Sequence, residues 1–393
     1  MIDHRPVYDD EHRDFRRQVR RFLAAEVAPH FADWEAAEIV PRDLWTKAGA
    51  ASLLCPQLPE EFGGTGDFRY NAVVIEETSY AGFAGVAGNF TAHSDVAVGY
   101  VEEYARPEVQ QAWLPKMLSG EAVCSIAMSE PAAGSDLQGL QTRAVRDGDH
   151  WVLNGSKTFI SNGQHCDVSV VVARTDPDAG SRGFSLFLVE ADSPGFVRGR
   201  NLAKMGHHCS DTSELFFSDV RVPAAHLLGE EGGGFELMMR QLPQERLIIA
   251  VASLAAAQRA FELTVEHVTG RTAFGTTVGA MQHTRFTLAD LKADLAVGWA
   301  FVDQCLAQNR TGELTAESAS IAKLWVTEMQ GRLTDRCLQF FGGYGFMQEY
   351  EISRAFTDAR IQRIYGGSSE IMREIISRSF RPAPARPGPA PGH

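Results

Sequence analysis

The order of apolar and polar positions divides the chain into three textures. From Asp9 to about Gly120 the pattern is helical: Phe15, Val19, Phe22, Leu23 and Val27 recur on one face, and Pro29 follows them. A glycine-rich break at 61–66 separates this run from a second apolar helix predicted near Tyr70 to Tyr80. The middle of the chain reads as strands. Val152 and Leu153, the run 168–173, the run 184–189 and the run 213–217 are short and rich in β-branched and aromatic residues. Turn residues bound them, among them Asn154-Gly155 and Pro194-Gly195. No long helical pattern intervenes, so an antiparallel barrel or sandwich is expected rather than βαβ units. After Gly232–Gly234 the helical texture returns. Leu247, Val251, Leu254 and Ala255 mark one face, Phe286, Leu288, Leu291 and Leu295 a second, and Ile321, Leu324, Trp325 and Leu333 a third. That is the pattern of a helical bundle. The last thirteen residues, from Arg381, carry five prolines and no periodicity, and a disordered tail is expected there.

Composition narrows the classes. A net charge of −13 argues against general nucleic-acid binding, because phosphate attraction needs a basic face. The six cysteines are scattered without a C-x-x-C pair, so neither a zinc knuckle nor a disulfide framework is suggested; they read as reduced, mostly buried thiols. His207 and His208 beside Cys209 lack further ligands, and no metal is expected. His93, in an apolar helical stretch, reads as a hydrogen-bonded core histidine. The richest apolar run, Leu247 to Ala257, is broken by Ser253 and followed by Gln258 and Arg259, so no membrane span is expected. The acidic N-terminus lacks a secretory pattern, which gives a cytoplasmic expectation.

Four segments carry candidate chemistry. The run 127–136, AMSEPAAGSD, has small residues that permit close backbone approach to a flat ligand, and hydroxyls at Ser129 and Ser135. By itself it also reads as a plain polar loop. The run 154–163, NGSKTFISNG, would expose Phe159 and Ser161 on one strand face, an aromatic plane beside a hydroxyl. The run 339–345, QFFGGYG, has three glycines in four positions that can cradle a pyrophosphate, or simply link two helices. No strand precedes it, so it is not a Rossmann fingerprint. In the run 364–371, IYGGSSEI, Ser368 can cap the helix that follows.

Taken in order, these segments resemble the acyl-CoA dehydrogenase family, over nearly everything from Asp9 to Ser379. The early run 129–136 and the late run 339–345, continued through Arg354 and Asp358, match the family's two signatures with intact spacing. The resemblance implies an α+β, mainly helical fold: an N-terminal helical domain (1–121), a central antiparallel β-barrel (122–231), a C-terminal four-helix bundle (232–380) and the tail (381–393). It implies FAD as cofactor. Met128, Ser129, Phe159 and Ser161 match positions lining the flavin ring. Arg271, Phe274, Gln282, Gln339 and Gly343 match positions that hold the adenylate and pyrophosphate of a neighbouring subunit's FAD. Ser368 and Glu370 match positions near the flavin and ribityl chain, and Ser135 and Tyr365 positions that touch the acyl thioester. A homotetramer, built as a dimer of dimers, and an electron-transfer flavoprotein as partner are further implications.

The family's usual catalytic glutamate follows the motif tyrosine, and here that position is Gly366. The long-chain and isovaleryl types also lack it and carry the base on another helix, beside an arginine. The run 241–247, QLPQERL, resembles the long-chain type and places Glu245 at that alternative position, with Arg246 beside it. Pro243 suits a first-turn residue, so Glu245 is expected near a helix N-terminus, which favours its charged form. Burial against an acyl chain would push its pKa up, and a base poised near neutrality requires burial to win. Gly366 keeps its backbone N–H, which in the family bonds the thioester oxygen together with a ribityl hydroxyl. The implied reaction is α,β-desaturation of an acyl-CoA to the trans-2-enoyl thioester, Glu245 taking the α-proton and flavin N5 the β-hydride. Space left at Gly366 would admit branched acyl groups. Alternatives on the same fold are a carrier-protein-tethered substrate, an oxygen-using acyl-CoA or nitroalkane oxidase, and a non-catalytic flavin-binding subunit.

Overall fold

The computed structural model describes residues 5–380. The expected disordered tail lies outside them. In the N-terminal part, helix Asp10–Phe22 passes into a π-turn, Leu23–Val27, and buries Val19, Phe22, Leu23 and Val27 as the periodicity requires. Helix Phe68–Tyr80 carries Glu76 and Glu77 into the interior, where Arg5 and Arg16 pair with them. Their charges are matched at contact distance, as buried carboxylates require. A third helical run joins Ala84–Phe90, a π-turn Thr91–Ala97 and Val98–Tyr104. His93 sits fully buried in that π-turn. Its Nδ1 accepts from the Cys124 N–H at 2.9 Å and its Nε2 lies 3.1 Å from the Met117 carbonyl, which makes it a core histidine.

Eight strands form the central sheet: β1 Cys124–Ala127, β2 Arg143–Asp147, β3 His150–Ser161, β4 Val168–Arg174, β5 Phe184–Glu190, β6 Phe196–Asn201, β7 Thr212–Pro223 and β8 Leu227–Leu228. They run in the order β6-β7-β3-β2-β4-β5-β8, with β1 beside β4. The sheet is mixed rather than purely antiparallel: β1 and β2 both pair with β4 in parallel. Among the described residues its path is open, and the pairing shows no closure into a barrel. The alternation along β4 and β5 explains its place in the molecule. Val170, Val172, Leu186 and Leu188 join the main helical core, while Val171, Ala173 and Phe187 join a second cluster with Trp151, Leu153 and Leu215. With both faces covered, these strands read as continuous apolar runs.

Three long helices follow, Gly234–Gly270, Gln282–Arg310 and Ala316–Phe341, then two short ones, Glu351–Asp358 and Ser369–Ser377. The bundle therefore has three long members, and short segments take the place of a fourth. Leu247, Val251, Leu254, Ala255, Leu291 and Leu295 are buried as expected, but Phe286 is 60% exposed. Helix Gly234–Gly270 is, contrary to the sequence expectation, long and apolar enough to cross a membrane by length and composition. Two-thirds of that window is buried against the rest of the protein, which makes it a core helix. All six cysteines are buried and free.

Candidate active site

Glu245 lies well inside helix Gly234–Gly270, not near its N-terminus. The expectation took Pro243 as a first-turn residue, yet the helix accommodates this proline in its interior, where it removes a backbone donor. The helix-end contribution to the glutamate is therefore absent, and its environment comes from burial. Glu245 is 6% exposed, and the Tyr100 hydroxyl donates to its Oε1 at 2.9 Å. Burial pushes its pKa up to about 7, against the smaller opposing pulls of the Tyr100 hydrogen bond and the Arg246 charge. Burial does win, as a base poised near neutrality requires.

The loop that faces this helix is held by two buried cations. The Arg246 Nε lies 3.4 Å from the Gly366 carbonyl, and Lys323 Nζ donates to the Gly367 carbonyl at 2.6 Å. Both side chains are buried, and burial lowers both pKa values, that of Lys323 to about 8. Gly366 has φ +62°, a left-handed conformation that strains any residue with a Cβ. A Cβ built there would sit 2.4 Å from Ile249 Cδ1. The space left by the missing side chain thus faces Ile249, four residues beyond Glu245 on the same helix. Part of the room expected at Gly366 is taken by Ile249 Cδ1, the movable end of that side chain. Tyr365 donates to Gln362 Oε1 at 2.7 Å, and Ser368 caps helix Ser369–Ser377 by accepting from the Ile371 N–H at 3.4 Å. Glu370, in that helix's first turn, points outward, its side chain 80% exposed.

From Tyr365 and Ile249 a narrow cavity extends along one face of the Gly234–Gly270 helix, past Ala252 and Ala256 to Arg259. Gly82, Ala84 and Ala87 line its other wall. Small residues on both sides leave a channel between packed elements.

A second group gathers on the sheet. Lys157, buried in β3, donates to the Met128 carbonyl at 3.0 Å and to Glu130 at 2.8 Å. Glu130 also accepts from the backbone N–H groups of Gln141 and Thr142, and the Thr158 N–H donates to the Ser129 carbonyl at 2.9 Å. This buried ion pair fixes the Met128–Ser129 segment against β3. The strict alternation expected there is broken: the register with β7 shifts between Lys157 and Ile160, and Phe159 takes φ +60°. The bulge turns the Phe159 ring outward, 69% exposed, while Ser161 is half-buried. Ser135 is exposed on the following loop.

A third group lies at the far end of the bundle. Arg271, Gln339 and Gly343 line one open groove of about 490 Å³ with His267, Gly342 and Tyr344. A Cβ on Gly342 or Gly343 would meet nothing within 4 Å, so the backbone is open to a ligand. Phe274 and Gln282 are exposed and do not line this groove; Phe274 is 98% exposed on the turn between two short strands. The structure thus joins Glu245, Arg246, Tyr365 and Gly366 in one site, Met128, Ser129, Phe159 and Ser161 in a second, and Arg271, Gln339 and Gly343 in a third. Tyr100, Ile249, Lys323 and the Glu130–Lys157 pair escaped sequence reasoning. Lys157 stood inside a segment already singled out; Tyr100 and Lys323 lie in ordinary helical runs with no motif to mark them.

Three family models match the chain: acyl-CoA dehydrogenase N-terminal domain over 9–121, middle domain over 125–220 and C-terminal domain over 232–380. The mitochondrial long-chain specific acyl-CoA dehydrogenase of Sus scrofa is 47% identical over 379 residues, 96% of this chain and 88% of that protein. The crystal structure of an acyl-CoA dehydrogenase from Geobacillus kaustophilus is 44% identical, with a TM-score of 0.94 over 96% of this chain and all of that one. A glutaryl-CoA dehydrogenase from Mycobacterium smegmatis, solved in complex with FADH2, is 28% identical with a TM-score of 0.90, covering 98% of each chain.

Proposed function

Since the chain belongs to the acyl-CoA dehydrogenase family, an FAD-dependent oxidoreductase of that type, we propose that Glu245 is the base that removes the α-proton of a long-chain acyl-CoA. The observation that carries this reading is a buried carboxylate with its pKa near neutrality, hydrogen-bonded to Tyr100 and adjoining an arginine that holds the Gly366 carbonyl.

The residues present fit FAD. Phe159 offers an exposed ring beside the fixed Met128–Ser129 segment, and the groove at Gly342 and Gly343 gives open backbone next to the Arg271 guanidinium. Such a groove suits an anionic pyrophosphate. Met128, Ser129, Phe159 and Ser161 would hold the ring, and Arg271, Gln339 and Gly343 the pyrophosphate and adenylate. The bound flavin supplies the acceptor for the β-hydride.

The protein's own part is the α-proton. Ionised Glu245 receives it from C2, and the Tyr100 hydroxyl holds the carboxylate in place. As the proton leaves, negative charge grows on the thioester oxygen, and a fixed backbone donor such as the Gly366 N–H is worth most there, in a site closed to water. Arg246 and Lys323 fix the Gly366–Gly367 carbonyls, which keeps the loop from turning. Loss of the C2 proton and the C3 hydride gives the trans-2-enoyl thioester, and the electrons pass on to an electron-transfer flavoprotein. The protein works as a homotetramer. The exposed rings of Phe274, Phe286 and Phe346 support an assembly that covers them.

The test is Glu245→Gln. The variant should retain FAD and bind acyl-CoA, yet lose flavin reduction by several orders of magnitude, roughly the loss expected when a proton acceptor is removed. Near-normal reduction would remove Glu245 from the mechanism.

A further inference from the structure

The channel that begins beside Gly366 should be greasy to its end if it takes a plain hydrocarbon chain. It is not. Its upper wall is Ile248, Ile249, Ala252 and Ala256, but its floor is polar: Arg259, Gln330, Glu351, Arg354, Asp358 and His207. Some of these groups satisfy one another. Arg259 holds Glu351 through two hydrogen bonds, of 2.8 and 2.9 Å, and Asp358 accepts from the His207 backbone N–H at 2.6 Å. Three atoms do not. Gln330 Oε1, His207 Nε2 and Arg354 Nε are buried without a hydrogen-bond partner. Gln330 is only 2% exposed and His207 8%, so both are enclosed polar groups bordering the channel. Burial holds the His207 pKa down near 4, which leaves its ring neutral. Buried polar atoms are nearly always paired, so three orphans on residues lining one cavity leave hydrogen-bonding capacity there for a ligand.

The chemistry of the floor selects that partner. Gln330 Oε1 is an acceptor and needs a donor, and Arg354 Nε is a donor and needs an acceptor. A terminal carboxylate donates nothing, and it would face Glu351 and Asp358 while Arg259 is already engaged by Glu351. A methyl group satisfies none of the three. A hydroxyl both donates and accepts. We propose that the distal end of the acyl site recognises a hydroxyl near the end of a long acyl chain, with Gln330 as the specificity-determining residue. This rests on the reading of the channel as the acyl site.

Glu245 and Arg259 lie on one helical face fourteen residues apart, about 21 Å along the axis, so the channel leads away from the base along this helix.

The experiment compares hexadecanoyl-CoA, 16-hydroxyhexadecanoyl-CoA and the matching ω-carboxylate as substrates of the FAD-loaded enzyme and of Gln330→Leu, a substitution of similar size. In the wild type the hydroxylated substrate should have a kcat/KM at least equal to that of the plain one, and the carboxylate the lowest of the three. In Gln330→Leu the ratio of hydroxylated to plain should fall about tenfold, the loss of one buried hydrogen bond, chiefly through KM. Binding of the same ligands to Glu245→Gln, followed by the shift of the flavin absorption band, should give the same order without turnover. A wild-type preference for the plain chain of tenfold or more, with a ratio unchanged in Gln330→Leu, overturns the proposal. No flavin reduction by any of the three would instead strike at the acyl-dehydrogenase reading itself.

Discussion

Removing the Tyr100 hydroxyl isolates what one hydrogen bond does to the base. Tyr100→Phe keeps the ring and deletes its hydrogen bond to Glu245, the 2.9 Å contact to Oε1. That bond favours the charged carboxylate, so its loss should raise the Glu245 pKa above the present value of about 7. A hydrogen bond to a charged group is worth about 1.5–3 kcal/mol, and one pKa unit corresponds to about 1.4 kcal/mol, so the shift is about one to two units. At pH 7 the ionised fraction then drops from about one half to between about one-tenth and one-hundredth. The rate of anaerobic flavin reduction at pH 7 should fall roughly five- to fiftyfold, in proportion. Above pH 9 or so much of it should return, because the base is again ionised. The assay is single-turnover flavin reduction by a long-chain acyl-CoA from pH 5.5 to 9.5. A midpoint that stays put, or a loss that no pH restores, would refute the argument that Tyr100 acts through the ionisation of Glu245.

Other perturbations follow from the same geometry. Glu245 carries a pKa raised from 4.5 to about 7, so the folded state binds the extra proton and stability is lost as pH rises through that range. Glu245→Gln should therefore raise the melting temperature at pH 8 more than at pH 5, with an upper bound of about 3 kcal/mol; equal effects at both pH values would contradict it. Gly366→Ala should lose most activity, through strain at φ +62° and collision with Ile249, and Ile249→Ala in the same chain should recover part of it; kcat for the two variants decides. Lys157→Met breaks a buried pair with Glu130 and should destabilise by about 3–5 kcal/mol, with weaker FAD retention on gel filtration; unchanged retention would separate this pair from the ring site.

The helical faces of Val19–Val27 and Leu247–Ala255 were legible because one period of burial runs through them. The strands β4 and β5 were legible because both faces are covered, so nearly every interior position is apolar. β2 and β6 were not, since charged residues such as Arg143, Arg146, Arg198 and Arg200 sit on their exposed sides. The turn signal of Pro243 misled, because the packed neighbours of a 37-residue helix can carry an interior proline that an isolated helix would not. At the site, motif residues were visible and their supports were not. Tyr100 meets Glu245 across 145 positions of chain, and Lys323 meets Gly367 across 44. Nothing local records such meetings.

The contact between Ile249 and the empty side of Gly366 also constrains how this protein can change. A carboxylate restored at 366 would collide with the isoleucine, and an isoleucine trimmed first would leave a void beside a base that still works from helix Gly234–Gly270. The two positions are coupled: a side chain at 366 needs the end of Ile249 to move aside, so a change at either one alters what the other can hold.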